Sequence, residues 1–569
     1  MSSFLILFIF YFLILFSLIG YGALFIKFFT KERLFHDFGY LGVLGILFAL
    51  LISYISNLIL PHGYLFNCIF IFIGFLGFVI FLNKNFSLFR KNFYLLILVF
   101  LFLLISLIMF KNHDDFTYYH FSYTYILTQF DALVGTGQFN HGFRTPSSIF
   151  YLNSLFYLPF IKYFSFNFSS VYILGFANII FLKGSGLSTD VFKINKSKIL
   201  KNYKLTNYLA ILSFIFINTF FYRIGEYGTD RAAQILILVL VYEIFRMFEN
   251  IKDSRLSNLK IYSLITIIVS LKAFYILYLL FFIPIFIYYL KKDKLSKFIK
   301  DNFKQKYFLI CTLIFTLVLL TYFFNTACLI YPLHFTCFEN FSWSIPKEQV
   351  IAMNNHYQTW SKAGMTPNYK IENPEEYIKY FNWVSGWIDG YFFNKVSDFL
   401  LGIFFIFIIF IVTFSLISSG RKKIFLNKYH LSLYFIITLL FFEWFYNHPS
   451  LRYGGFCLVV LLIFIPLSFF LSSYTIEIKK FNKAVIILIL IGISVFIGRN
   501  INRIHKEINF YKYKPLSNIF YYMDEKHFVV HKQVYEIISS YQICKNTDQC
   551  DKKSKRIKKV LGKLIFINK

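Results

Sequence analysis

Apolar runs of about 17 to 22 residues recur along most of this chain, the length a helix needs to cross a hydrocarbon core roughly 30 Å thick. No other feature limits the fold so tightly. The windows are residues 4–27, 39–60, 64–82, 92–110, 168–183, 205–222, 232–248, 259–271, 274–290, 307–324, 399–418, 430–446, 454–472 and 482–498. They predict an all-α polytopic membrane protein with about fourteen transmembrane helices. Composition agrees: 58% of the 569 residues are hydrophobic and 15% are charged, against about 25% charged in an ordinary globular domain. The first run, Phe4 to Phe25, lacks a basic lead and a small-residue cleavage site, so it reads as a span and not a removable signal peptide.

The net charge of +30 would suit nucleic acid, but its distribution excludes that class of partner. The basic residues sit in short connections between spans, where the positive-inside rule puts them. These are Lys27 to Arg33, Lys84 to Lys91, Lys183 to Lys204, Lys252 to Lys260, Lys291 to Lys306, Arg421 to Lys428 and Lys479 to Lys483. All can be cytoplasmic together only if the apolar stretch 147–163 does not cross the membrane. It is therefore expected to be an interfacial or re-entrant helix, which suits its Asn153 and Pro159. The N-terminus, the loop 111–167, the turn 223–231, the large loop 325–398 and the tail 499–569 then fall on the extracytoplasmic side of a membrane domain covering 1–498. The basic end of the tail, DKKSKRIKK, fits that side less well and would also suit anionic lipid.

Four polar constellations collect on that same side. The first is His113-Asp114-Asp115 with Tyr119 and His120. On a helix from Asp115 onward, Asp115 and Tyr119 share one face. An Asp there either caps the helix or serves as a general base toward a hydroxyl. The second is the glycine-marked loop segment Asn140, His141, Arg144, either a solvated loop or a phosphate contact. The third is GEYGTDR, whose Glu226, Asp230 and Arg231 either pair locally or add a second acid for substrate or metal. The fourth is Lys272, midway through an apolar stretch of about thirty residues that is expected to break there into two short helices. A lysine in such a place either snorkels or binds, and with Arg452 of NHPSLRYG it would suit a phosphate leaving group.

Trp360, Trp383 and Trp387 in the late loop suit sugar rings and equally an interfacial aromatic belt. Of seven cysteines, Cys68, Cys311 and Cys457 fall in apolar spans as packing residues. Cys328 with Cys337, and Cys544 with Cys550, are close pairs that would form disulfides if extracytoplasmic. No P-loop, Rossmann glycine motif, HExxH or CxxC zinc pattern is present.

The segments DDFTYYHF and GQFNHGFRTPSSIFYLNSLFYLPF resemble a bacterial branch of the C-type (GT-C fold) membrane glycosyltransferases, which use polyprenyl-phosphate-linked sugars. Asp115, Tyr119 and His120 match an Asp-x-x-x-Tyr-His element, and Asn140, His141 and Arg144 match the following loop more loosely. In that superfamily the acidic loop usually follows the first span, whereas four spans precede it here. The resemblance implies an inverting glycosyl transfer at the extracytoplasmic face of the bacterial inner membrane, with a saccharide, lipid or protein acceptor. Asp115, with Asp114 beside it, would be the catalytic acid–base group. Tyr119, His120, Asn140, His141, Glu226, Asp230 and Arg231 would line the substrate site. Arg144, Lys272 or Arg452 would steady the departing lipid phosphate. A divalent cation, magnesium or manganese, is accommodated but not required. A transporter or flippase for a lipid-linked saccharide, a polysaccharide polymerase or ligase relying on Arg452 and His334, and a non-catalytic envelope subunit are the competing readings.

Overall fold

Apolar helices make up most of the computed structural model, which describes residues 3–30, 37–187, 200–226, 228–249, 254–290, 295–364, 371–423, 428–520, 557–560 and 563–567. The N-terminal part contains α1 (Ser3–Phe29), α2 (Phe38–Asn57), α3 (Tyr64–Leu103), α4 (Phe121–Gln129), α5 (Ser148–Ser154), α6 (Phe168–Gly184) and α7 (Leu205–Phe220). The middle contains α8 (Asp230–Glu249), α9 (Ser254–Leu271), α10 (Phe282–Leu290), α11 (Leu295–Phe303) and α12 (Lys306–Thr326). The late loop carries α13 (Lys347–Lys362), α14 (Pro374–Ile378) and α15 (Val384–Trp387). After it come α16 (Ser397–Ile417), α17 (Lys428–Asn447), α18 (Gly455–Ser472) and α19 (Ile478–Tyr511).

Ten helical segments among the described residues are long and apolar enough to cross a membrane, so the chain is a multi-pass helical membrane protein. All fourteen predicted windows fall on helix. Three of them, at Asn92–Leu107, Leu205–Phe220 and Leu256–Leu271, fall on apolar helices of only 10–17 residues. The window 232–248 falls on α8, which carries Glu243 and Arg246 within its length.

The backbone of α3 stays helical for 40 residues, yet it doubles back. In a straight helix Phe78 and Phe93 would lie about 22 Å apart, whereas their ring centroids are 6.5 Å apart and both rings stack on Phe16 of α1. The windows 64–82 and 92–110 are thus two arms of a helical hairpin. The stretch 259–290 breaks where expected. α9 ends at Leu271, Lys272 is extended (φ −162°, ψ 143°), and a 3-10 helix, Ala273–Phe281, leads into α10.

Of the two forms expected for the stretch 147–163, interfacial or re-entrant, the surface-lying one does not fit. The stretch does not cross, since α5 has seven residues and reaches only about 10 Å. Nor does it lie on the protein surface: residues 146–158 are buried in the protein. Ser148 Oγ donates to Ser270 Oγ at 2.5 Å, and Tyr151 stacks on Tyr54 of α2 at 4.2 Å between centroids. Its apolar side chains find helices to pack on, which buries them more completely than a bilayer surface would.

Two small antiparallel sheets complete the fold. In one, β3 (Tyr474–Glu477) pairs with β1 (Leu200–Asn202) and β2 (Ser418–Arg421), tying together three connections that the lysine count assigns to one side. In the other, β4 (Ile557–Val560) pairs with β5 (Lys563–Phe566), and the Phe566 amide donates to the Val134 carbonyl at 3.0 Å. The end of the tail therefore rests on the loop 111–167. Cys328 and Cys337 are joined in a disulfide, while Cys544 and Cys550 lie outside the described residues. Cys311 and Cys457 are buried as expected; Cys68 instead faces outward from its helix.

Candidate functional site

Past α3 the chain is fastened by α19 before it reaches the acidic pair. Arg503 Nη2 donates to the Ile108 carbonyl at 2.8 Å, and the Phe110 amide donates to Glu507 Oε2 at 2.7 Å. The His113 amide then donates to the Glu226 carbonyl at 2.9 Å, which sets the GEYGTDR turn beside the pair. A π-helical turn, Phe116–His120, follows and runs into α4. Such turns are frequent at functional sites, where they re-aim side chains. Asp115 occupies the cap position of this turn, but its side chain makes no capping hydrogen bond.

The two acids part company here. Asp114 is 87% exposed and, among the described residues, pairs with Lys111 alone, at 3.4 Å. Asp115 turns inward to the guanidinium of Arg452, whose Nη2 donates to Oδ2 at 2.7 Å. Arg452 Nε donates to Asp230 Oδ2 at 3.0 Å, and Lys272 Nζ donates to Asp230 Oδ1 at 2.5 Å. A continuous chain Asp115–Arg452–Asp230–Lys272 results, built from four separate parts of the sequence.

Local structure explains why these groups meet. Asp230 opens α8, where a carboxylate meets the positive end of the helix. Lys272 stands at the break between α9 and the 3-10 helix, where its stem leaves the helical path, and its ammonium lies 4.6 Å over the Tyr453 ring. Arg452 sits in a 3-10 turn, Leu451–Tyr453, that Gly454 (φ +113°) turns into α18. Gln234, one turn along α8 from Asp230, donates to the Arg452 carbonyl at 3.0 Å and accepts the Cys457 amide at 3.2 Å. It locks that turn against α8.

A second group faces the first from the loops. Tyr118 Oη and His141 Nδ1 are hydrogen bonded at 2.8 Å. Arg144 Nε donates to the Gly137 carbonyl at 2.9 Å, and its Nη1 donates to Tyr331 Oη at 3.3 Å. Tyr331 lies in the disulfide-closed loop Cys328–Cys337, and Tyr357 and His356 come from α13. Burial raises the Tyr357 hydroxyl, with Tyr331 and Tyr453 adding to the effect and Arg144 opposing it, so α13 lies near both groups.

The remaining predicted residues are distributed around these groups. Tyr119 packs on Gly142, where an added Cβ would lie 2.4 Å from its ring. His120 is buried beside Tyr119, Phe150 and His113. Asn140 caps the turn His141–Arg144 by accepting the Gly142 amide at 2.8 Å and donates to the Tyr118 carbonyl at 3.1 Å. Glu226 pairs with Arg223, and Arg231 donates to the Arg223 carbonyl. Glu226 is thus paired locally, whereas Asp230 pairs with Lys272 and Arg452 and not with Arg231. Gln234, Tyr331 and Tyr453 were not singled out from sequence. Tyr453 is next to Arg452 and Tyr331 lies in CLIYP, but nothing in the local sequence marks Gln234 as a partner of Arg452.

Electrostatics distinguish the titrating groups. Burial acts to raise the Asp115 carboxyl, but the Arg452 guanidinium outweighs it and holds the group below its ordinary range. Burial pushes His113 down to about 4, with Arg452 adding to the effect, and His120 down to about 3. All are neutral or fully ionised near neutrality. The arrangement suits one task well: an ionised carboxylate and a fixed guanidinium side by side can receive a proton and hold an anion. It does not suit a divalent cation, because the oxygens of Asp115 and Asp230 already face Arg452 and Lys272. Among the described residues no group of three or more His, Cys, Asp or Glu forms a metal site.

A family model described as a domain of unknown function (DUF8201) matches residues 4–460, and the chain belongs to that family. The match takes in the whole of the Asp115–Arg452–Asp230–Lys272 chain. No curated protein matches, and no solved structure matches.

Proposed function

We propose that this member of the DUF8201 family is a membrane glycosyltransferase, moving a sugar from a polyprenyl-phosphate-linked donor to a hydroxyl of an envelope acceptor. The observation that carries the reading is the pairing of Asp115 with Arg452 at the mouth of the helices, at 2.7 Å. Glycosyl transfer with inversion needs a base for the acceptor hydroxyl and a cation for the departing phosphate. In the proposed step the acceptor oxygen bonds to the anomeric carbon and its proton passes to Asp115. The bond from that carbon to the phosphate oxygen breaks, and the phosphate leaves with the electron pair toward Arg452. Asp230 and Lys272 act as positioning residues, because their charges are spent on each other and on Arg452. The topology of about fourteen spans, with the site outside the bacterial inner membrane, belongs to the same proposal.

A transporter is the second reading. The discontinuity at Lys272 favours it, since broken helices with a charge at the break are a feature of transporter binding sites. Substitution of Asp115 tests the first of these readings. Asp115→Asn is expected to lower transfer by about 100-fold or more while protein level is kept, with the matching surface glycan or glycolipid lost from mass-spectrometric profiles. Asp114→Asn, altering a solvated side chain, is expected to have a far smaller effect. An unchanged profile for Asp115→Asn at normal protein level would sink the catalytic assignment.

A further inference from the structure

The four charges of the chain sum to zero, yet its links are unequal. Asp230 has two cationic partners, is 10% exposed, and sits at a helix start that favours its charge. Asp115 has one cationic partner among the described residues, Arg452, and both side chains are more open, at 29% and 28% exposure. His113 is no second cation. Its Nδ1 accepts the Asp115 amide at 3.1 Å, so a lone pair and not a proton faces the carboxylate 3.6 Å away.

We propose that the Asp115–Arg452 pair is an exchangeable joint: an anionic group of the ligand reaching Arg452 displaces the Asp115 carboxylate, freeing it as a base only when the donor is seated. This rests on the reading of an anionic, lipid-linked donor given above. Before binding, the guanidinium makes Asp115 a weak base, poorly able to take a proton from water or from an acceptor arriving alone. A phosphate diester adds one negative charge to a balanced site, and losing its guanidinium partner raises a carboxylate's proton affinity. The link that yields is the one to Asp115, since that carboxylate is 29% exposed and water can take the place of the guanidinium, whereas Asp230 is 10% exposed and cannot be so solvated. Other groups facing Asp115 do not replace the lost cation. His113 and His120 on its own stretch, and His141 from the neighbouring loop, are all shifted toward the neutral form by burial. From α8, Asp230 adds only negative charge, and Arg231 is bound to the Arg223 carbonyl and near Glu226. The device makes proton removal conditional on donor binding.

Infrared difference spectroscopy of the full-length protein in lipid nanodiscs tests it. The protonated carboxyl stretch of Asp115, identified by its loss in Asp115→Asn, is followed across a pH series. Farnesyl phosphate is the probe and farnesol its uncharged control. The expected result is a titration midpoint about one pH unit higher with saturating farnesyl phosphate, and none with farnesol. Arg452→Gln is expected to raise the midpoint without ligand and to abolish the further shift. If that variant does not fold, the ligand arm on the native protein decides alone. Farnesyl phosphate that binds, by retention of a radiolabelled sample, without moving the midpoint overturns the exchange while leaving the donor reading intact. Failure of farnesyl phosphate to bind at all overturns both.

Discussion

At the scale of single residues, the choice between Asp114 and Asp115 depends on direction. Two adjacent residues entering a helical turn point about 100° apart, so one meets Arg452 and the other meets water. The same local packing buries His120 among rings, and this has a consequence for acid stability. Below the ordinary histidine value of 6.5 the unfolded chain takes up protons that His120 and His113 in the folded protein refuse until about 3 and about 4. Stability therefore rises with pH through that window and is lost as pH falls through it. Asp115, held low by its partner, acts in the same direction at still lower pH. For His120 the loss at pH 5 is expected to be about 2 kcal/mol. Thermal unfolding in detergent at a series of pH values should show this fall, and His120→Gln should flatten it. An equal slope in that variant would remove His120 as the cause.

At the scale of elements, small residues decide how the first helices cross. A Cβ at Gly45 of α2 would lie 1.8 Å from the Leu18 carbonyl oxygen of α1, and one at Gly22 would lie 1.9 Å from that of Leu41. Backbone carbonyls cannot swing aside, and close approach through small residues is how membrane helices gain packing contact. Gly45→Ala is expected to destabilise by about 1–3 kcal/mol, read as a lower melting temperature in detergent. Gly63→Ala, at a site with nothing within 4 Å, is the comparison and is expected to be near neutral. Sequence pattern foretold the elements themselves well, down to the break at Lys272. It left 147–163 as an interfacial or re-entrant helix, because a charge rule says only whether a segment crosses, and not what it packs against.

At the scale of the molecule, α8 carries Asp230 at one end, and at the other its Glu249 accepts Thr206 Oγ1 at 2.6 Å beside the lysine-rich connections. Twenty residues of helix separate the two by about 30 Å, so the site and the β1–β3–β2 sheet belong to opposite ends. Single cysteines at Gly420 in β2 and Glu348 in α13 are expected to react with a membrane-impermeant thiol reagent from opposite sides. Gly420→Cys should label in inside-out vesicles and Glu348→Cys in spheroplasts. Labelling of both from one side would overturn the proposed topology.

What the sequence alone determined is the class of the fold and the positions of its helices. These follow from short-range causes: hydrophobic length, helix-breaking residues and the distribution of lysine. What only the tertiary structure decided is who pairs with whom. Arg452 and Asp115 are 337 residues apart, Arg452 and Asp230 are 222, and Lys272 and Asp230 are 42. No local periodicity can encode partnerships at such separations. They arise because helix packing brings the start of α8, the break before the 3-10 helix and the turn before α18 to one point, where charges largely shielded from water must find one another.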